Sequence, residues 1–230
     1  MAIEKFKTEV LEKEQLTKEV FKLVITVPEN LFFKPGQFMT FTLEKDSEKK
    51  PRSYSIFSSY NDDGKMEFII KLIAGGFASQ IFEEMKKGDH FDIRGPFGHF
   101  VFDDENENEE QWFIGSGTGL APLHSMLKEK VGQFPEKKFV LLLSMKHKEE
   151  LLFHEELLEM EEKHPNFVYM PTLTREEWEG KSGRVQKYLP EDVKRKTFYI
   201  CGIKELVLSV KEHLLEKGVK PEDIKFERYS

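Results

Sequence analysis

A single cysteine, Cys201, is all that the 230-residue chain contains. That excludes an intrachain disulfide and any four-cysteine zinc or iron–sulfur centre. The seven histidines never stand four apart, the spacing that would set two ligands on one helix face, so no metal site is expected. No 18 apolar residues run together, and Met1 to Lys13 is charged without an apolar stretch. Neither a membrane span nor a secretory signal is therefore expected, and the reading is a cytoplasmic protein. A basic excess is missing too. The net charge of −7 and pI near 5.6 argue against a nucleic-acid or anionic-membrane binder.

What is present is enough for a core: 39% of residues are hydrophobic and 21 are phenylalanine. The first hundred residues read as short strands cut by glycine and proline. Phe21 to Val27 alternates up to Pro28, Lys34-Pro35-Gly36-Gln37 is a turn, and Phe38 to Leu43 alternates again. Tyr54 to Ser58, Met66 to Ile73 and His90 to Arg94 follow, with one short helix expected over Ser79 to Lys87, stopped by Gly88. Five or six such strands suggest a small closed antiparallel barrel. Asp103 to Glu110 (DDENENEE) then reads as a solvated acidic linker and a boundary, dividing the chain into 1–103 and 104–230.

Beyond it strands and helices alternate. Strands are expected at Trp112 to Gly115, Phe139 to Met145, Phe167 to Leu173, Thr197 to Cys201 and Ile224 to Tyr229. Helices are expected at Leu120 to Val131, Glu149 to Lys163, Ser182 to Leu189 and Glu205 to Lys217. That rhythm means an open parallel α/β sheet of Rossmann-like type.

Four segments carry chemistry. Gly115-Ser116-Gly117-Thr118-Gly119-Leu120-Ala121-Pro122 lies between an apolar strand and a helix. Glycines there let backbone N–H groups approach a pyrophosphate while the helix start supplies positive potential. Pro122 stands where the GxGxxG form has its last glycine, which disfavours an ordinary NAD dehydrogenase. Arg52-Ser53-Tyr54-Ser55 enters a strand; taken alone it is a surface arginine and a core tyrosine. Gly75-Gly76-Phe77-Ala78-Ser79 leads into a helix, where Ser79 taken alone would be an N-cap. Gly95-Pro96-Phe97-Gly98 alone is a plain turn. Cys201, before Gly202, is by default a core residue.

In this order, with Phe226-Glu227-Arg228-Tyr229 at the end, the segments resemble the ferredoxin–NADP reductase superfamily over about 180 residues. The resemblance implies a barrel that binds FAD, a parallel-sheet domain that binds a nicotinamide dinucleotide, and reactive rings that meet at the domain interface. By resemblance, Arg52 pairs with the FAD pyrophosphate, Tyr54 packs on the flavin, and Ser55 lies near its reactive nitrogen. Ser53 and Gly95 belong to the same cofactor set, and Gly76 and Ser79 make a second pyrophosphate contact. Cys201 and Glu227 would line the hydride-transfer pocket, so Ser55, Cys201 and Glu227 are the catalytic candidates. Ile203 replaces a proline common in the family. Leu173-Thr174-Arg175-Glu176 and Lys181-Ser182-Gly183-Arg184 resemble the basic grip on an adenosine 2′-phosphate; otherwise Arg175 and Arg184 are exposed loop residues. NADP(H) is therefore the favoured co-substrate and NAD(H) the weaker fit. Tyr229 resembles a terminal tyrosine that stacks on the flavin face; its alternative is simply to finish the last strand, and Ser230 follows it.

The implied activity is electron transfer between NADP(H) and a one-electron carrier, ferredoxin or flavodoxin, by a monomer or weak dimer. Three alternatives stay open: the reductase component of an oxygenase or haem system, a free flavin reductase, and a non-catalytic flavin-binding subunit.

Overall fold

The computed structural model describes residues 3–59 and 64–229. They form two compact units: Met1–Phe102 with His124–Met126, and Asp103–Leu123 with Leu127–Ser230.

The first unit is an antiparallel sheet with strand order β4-β3-β6-β1-β2-β5. Its strands are β1 (Glu4–Gln15), β2 (Val20–Thr26), β3 (Phe38–Lys45), β4 (Glu48–Ser55), β5 (Lys65–Lys71) and β6 (His90–Phe97), with helix α1 (Phe77–Glu84) between β5 and β6. β1 makes the sheet curl. Its first half pairs with β6 and its second half with β2, and the register shifts between Val10 and Glu12. The two sheet edges come together just past β4, where the Phe57 N–H donates to the Glu67 carbonyl of β5 at 2.8 Å. Inside, Phe41 takes Tyr54 and Phe68 edge-on at 5.2 and 5.0 Å and stacks on Phe91 at 5.0 Å. Ring pairs of this kind add about 0.5–1.5 kcal/mol each beyond burial.

Three expectations need correction here. β1 was not anticipated, because only Phe6, Val10 and Leu11 break its charged run; most of its long charged side chains face water, Lys13 excepted, while Thr8 and Val10 are buried. The Arg52–Ser55 segment ends a strand rather than entering one, since β4 starts at Glu48. Helix α1 begins two residues earlier than expected and stops at Glu84, not at Gly88. Its end is set by a residue distant in sequence. The Lys13 Nζ donates to the carbonyls of Phe82, Glu83 and Met85 at 2.5, 3.0 and 3.3 Å. α1 has no basic residue of its own in its last turn, so β1 supplies the cation that its carbonyl end attracts.

The second unit is a parallel sheet in the order β10-β9-β8-β7-β11-β12: β7 (Glu110–Ser116), β8 (Lys138–Met145), β9 (Phe167–Leu173), β10 (Lys181–Ser182), β11 (Lys196–Ile203) and β12 (Ile224–Tyr229). Helices α2 (Leu120–Gln133), α3 (His154–Lys163) and α4 (Lys204–Glu216) alternate with them. β8 is buried from Phe139 to Met145, as a strand covered on both faces must be. Two expected helices shrink. Glu149 contributes only to a 3-10 turn at Lys148–Glu150, and α3 starts at His154 after Phe153 turns left-handed at φ 54°. The Ser182–Leu189 stretch gives the two-residue strand β10 and a 3-10 turn at Val185–Tyr188, because Tyr188 bonds back through its hydroxyl to Ser182.

The acidic run is not a free loop. The Lys137 ammonium donates to the Asn106 and Asn108 carbonyls at 2.6 and 3.0 Å. The Asn108 amide reaches Thr197 at 3.0 Å and Asp223 at 2.8 Å.

Candidate active site

In the first unit, β4 presents its residues to alternate faces. Arg52 and Lys50 point to the start of α1, with the guanidinium 6.0 Å and the ammonium 4.5 Å from the centre of the Phe77 ring. Tyr54, on the same face, wedges edge-on against Phe41 and Phe82 at 5.2 and 5.4 Å. Burial pushes its phenol up to about 12, opposed by the charge of Arg52. Ser53 faces the other way, its Oγ 3.0 Å from the Thr40 Oγ1, and buried Ser55 closes the strand opposite Phe38.

α1 starts at Phe77 with Gly76 as N-cap, no capping side chain and no acid in its first turn. Its open N–H groups therefore lie beside two cations, a cradle for an anion. Ser79 is not the cap: it is the third residue of the first turn, buried, and its Oγ accepts the Ile73 N–H at 2.7 Å. Gly95 is not in this cluster. It lies in β6, on the far side of β3 from Ser55, where a Cβ would meet the Met39 Sδ at 2.6 Å.

In the second unit the chain starts at the central strand β7, builds outward through β8 to β10, then crosses back to place β11 on the other side of β7. Ligands of open parallel sheets bind at such a reversal, outside the carboxyl ends of the two strands. β7 ends in Gly115-Ser116 and runs into a 3-10 turn at Gly117–Gly119, and β11 ends in Cys201-Gly202-Ile203. The two are in close contact. A Cβ on Gly119 would lie 2.4 Å from the Cys201 carbonyl oxygen, and one on Gly202 would lie 2.5 Å from the Ser116 Oγ. Among the described residues that buried Ser116 hydroxyl has no hydrogen-bond partner. A surface cleared of side chains, with an unsatisfied hydroxyl in it, fits a dinucleotide backbone. Thr118 is half-buried in the loop, and buried Pro122 takes the third position of α2, where no intrahelical N–H is needed.

Cys201, Glu227 and Tyr229 come together. Cys201 pairs with Glu227 across β11 and β12, and Tyr229 hydrogen-bonds to the thiol. Burial first, then the Glu227 charge, pushes the thiol well above its ordinary range. Ser55 belongs to the other unit.

Arg175 and Arg184 follow the carboxyl ends of neighbouring strands. The Arg175 N–H donates to the Lys146 carbonyl at 3.1 Å, and Gly183, just before Arg184, donates to Leu173 at 2.7 Å. Both arginines are exposed, and among the described residues neither has a carboxylate within ion-pair reach. The acids nearby are occupied elsewhere: Glu176 accepts the Lys148 N–H at 2.9 Å and Glu179 takes the Lys148 ammonium at 2.6 Å.

Lys50, Lys13 and Ser116 were missed by sequence reading. The first two lie far in the chain from what they serve, whereas Ser116 could have been found, since it is the one side chain between the first two glycines of the loop. Ser230 lies outside the described residues. Among the described residues no three His, Cys, Asp or Glu side chains could together hold a metal ion, and no helix is long and apolar enough to cross a membrane.

Two family models match the chain, an oxidoreductase FAD-binding domain over residues 7–102 and an oxidoreductase NAD-binding domain over 113–212. The chain belongs to the ferredoxin–NADP reductase superfamily, and it spans about half to two thirds of the length of the first curated relatives it matches. It is 26% identical over 209 residues to a ferredoxin–NADP reductase B of Sorangium cellulosum, covering 86% of this chain and 85% of that protein. It is 27% identical over 205 residues to a toluate 1,2-dioxygenase electron transfer component of Pseudomonas putida, covering 87% of this chain but only 60% of that protein's length. Its fold superposes on a ferredoxin NADP+ reductase from Neisseria gonorrhoeae with bound FAD and NADP, at a TM-score of 0.89 and 24% identity, covering 97% and 98% of the two chains.

Proposed function

We propose that the chain passes electrons from NADPH, through FAD held by residues 1–103, to a one-electron carrier protein such as ferredoxin or flavodoxin. Residues 104–230 hold the dinucleotide. The reading rests on one observation: the chain carries two separate cradles for a diphosphate. One is the uncapped α1 start beside Arg52 and Lys50; the other is the cleared loop at the β7/β11 reversal.

FAD, when bound, accepts a hydride and releases electrons one at a time. The chain's own residues do the rest. Arg52, Lys50 and the first-turn N–H groups of α1, with Gly76 and Ser79 shaping that turn, bind the FAD diphosphate. Tyr54 and Ser55 orient the flavin, Ser53 supports that strand edge, and Gly95 serves the cofactor from β6, beyond β3. The loop Gly115, Gly117, Thr118, Gly119 and Pro122, with Gly202, seats the dinucleotide. Cys201 and Glu227 shape the pocket for the nicotinamide, and the thiol stays protonated there because it is buried. Tyr229 covers the nicotinamide place until the coenzyme displaces it.

NADPH is favoured over NADH because Arg175 and Arg184 are exposed and uncommitted. A charge-assisted hydrogen bond contributes about 1.5–3 kcal/mol, so each arginine is worth about tenfold or more in affinity for the 2′-phosphate. The test is anaerobic stopped-flow reduction of the FAD-loaded protein by NADPH and NADH side by side, repeated on Arg175→Ala and Arg184→Ala. NADPH should lose tenfold or more in each variant and NADH almost nothing. Equal losses with both coenzymes would remove the 2′-phosphate role, and an absence of flavin reduction by either would remove the function.

A further inference from the structure

The segment that carries the two uncommitted arginines is acidic. Between Arg175 and Arg184 stand Glu176, Glu177 and Glu179 against one lysine, Lys181, whose ammonium lies over the Tyr188 ring at 5.0 Å. Carboxylates beside a phosphate oppose its binding, and they compete with it for an arginine.

One residue turns two of the three aside. Lys148 opens the 3-10 turn that follows β8. Its backbone N–H, a donor that the start of such a turn leaves unused, goes to the Glu176 Oε2 at 2.9 Å. The His147 Nδ1 lies 3.6 Å from the same oxygen. The Lys148 ammonium goes to Glu179 at 2.6 Å. That hydrogen bond raises Lys148 above its ordinary range and lowers Glu179 below its own, so both are charged at neutral pH. Among the described residues Glu177 has no cation within ion-pair reach, and its charge is the same with Lys148 or without it.

The segment does not need this ion pair to keep its course. At its ends the Thr174 N–H donates to Met145 at 2.9 Å, the Arg175 N–H to Lys146 at 3.1 Å and the Gly183 N–H to Leu173 at 2.7 Å. In the middle the Trp178 indole lies against Gly180, where a Cβ would meet it at 2.4 Å. The same indole donates to the Lys181 carbonyl at 2.7 Å, and its ring is 6.3 Å from that of His154 at the start of α3. Lys148 and Glu179 are both exposed, and an exposed pair adds little to stability. What the pair does change is local charge. Glu176 is the residue next to Arg175, so the charge balanced by Lys148 falls within a Debye length, about 8 Å at physiological salt, of an anion held there.

We infer that Lys148 is a positioning residue for coenzyme choice: it holds Glu176 and Glu179 away from Arg175 and Arg184 and cancels their repulsion of an adenosine 2′-phosphate, without touching the coenzyme. The inference rests on the NADPH reading above and adds the residue that keeps its two arginines uncommitted. Anaerobic stopped-flow reduction of the complete FAD-loaded chain would be followed against rising NADPH and, separately, NADH. The proteins compared are wild type, Lys148→Met, Lys148→Arg and Lys148→Met/Glu179→Gln. In Lys148→Met the half-saturating NADPH concentration should rise roughly fivefold, the size expected for one net charge lost near a dianion, with the limiting rate unchanged. NADH should move by less than about twofold, and the urea midpoint should match wild type. The NADPH loss should shrink in about 1 M salt, where the Debye length is about 3 Å. Lys148→Arg should behave as wild type, and adding Glu179→Gln should restore most of what Lys148→Met loses, because the freed carboxylate is gone. A double variant as weak as Lys148→Met overturns the inference, since Lys148 would then hold the phosphate itself. Unchanged NADPH saturation in Lys148→Met, or an equal rise with NADH, overturns it too. If Arg175→Ala and Arg184→Ala lose NADPH and NADH alike, the 2′-phosphate reading falls and the inference with it. If they lose NADPH alone while Lys148→Met loses nothing, only the inference falls.

Discussion

Replacing Gly119 by alanine tests how the dinucleotide loop is built. The added methyl would lie 2.4 Å from the Cys201 carbonyl oxygen, 2.7 Å from its carbon and 2.8 Å from the Gly202 Cα. Ordinary contact begins near 3.4 Å, so loop and strand must part by about 1 Å. The obstructing atoms are backbone, held in ladders to β7 on one side and β12 on the other, and cannot step aside as a side chain would. Overpacking of this kind costs about 1–3 kcal/mol, and the rigid neighbour argues for the upper half of that range. For a chain of this size each kcal/mol lowers Tm by about 2–4 °C, so a drop of roughly 4–12 °C is expected. On the role proposed for the loop, NADP+ affinity should fall about ten- to hundredfold, while FAD, assigned to the other unit, stays bound. Calorimetric titration of the FAD-loaded protein with NADP+ gives the affinity, and urea unfolding gives the stability. Gly132→Ala is the control. It makes the same change on an exposed stretch of α2, where the nearest atom is 3.7 Å away, and should add roughly 0.5–1 kcal/mol of stability. A Gly119→Ala protein as stable as wild type, with unchanged NADP+ affinity, would show that the close approach to β11 does not set the loop.

Three further outcomes are expected. Lys13→Met should lower stability by about 1.5–3 kcal/mol by stripping the carbonyl end of α1 of its cation, with Lys13→Arg recovering part of it; a urea midpoint equal to wild type would dismiss the clamp. Arg52→Ala should weaken FAD binding tenfold or more without changing the urea midpoint of the apoprotein, followed by flavin fluorescence; equal loss of riboflavin affinity would move the contact away from the phosphates. The Cys201 thiol, pushed up by burial and Glu227, should resist iodoacetamide at pH 8 in the native protein and react in urea. An unfolded thiol ionises above about pH 8.5 and the native one does not, so its contribution is intact below that pH and fades as pH rises past it. Cys201→Ala should flatten that alkaline decline, and rapid native alkylation would contradict the burial argument.

The strongly periodic elements were legible from sequence: β2, β3, β5, β8 and β9 are apolar runs cut by glycine, proline or charge, and their period says strand. β1 was not, since a strand whose long charged side chains stay in water shows little apolar alternation. The helix expected over Glu149–Lys163 was overdrawn because its charges suit a helix surface, while Phe153 at φ 54° breaks the backbone before it. For the site, the glycine loop announced itself by its place between strand and helix. Its partner Gly202 and the orphan Ser116 hydroxyl could be joined to it only once β11 was known to lie beside β7. Lys13 and Lys50, at the two ends of α1, were invisible for the same reason, though Arg52 was not: Lys13 lies 69 residues from Phe82 in the chain, and sequence spacing carries no information about which strand passes a helix end.

The tie from Asn108 to Asp223 bears on how the second unit comes apart. β12 is an edge strand at the end of the described chain, the kind of element that frays first and exchanges its amide hydrogens early. Yet the 3-10 turn that leads into it is fastened through Asp223 to Asn108, itself bonded to Thr197 at the start of β11. To release the start of β12 the protein must break a link between segments 115 residues apart, one that also holds the entry to the central strand. Opening there is thus coupled to opening of the middle of the sheet, and the unit unfolds as a whole rather than from its edge inward. Amides at the base of β12 should exchange at rates close to those of β7, and Asn108→Ala should let them run ahead.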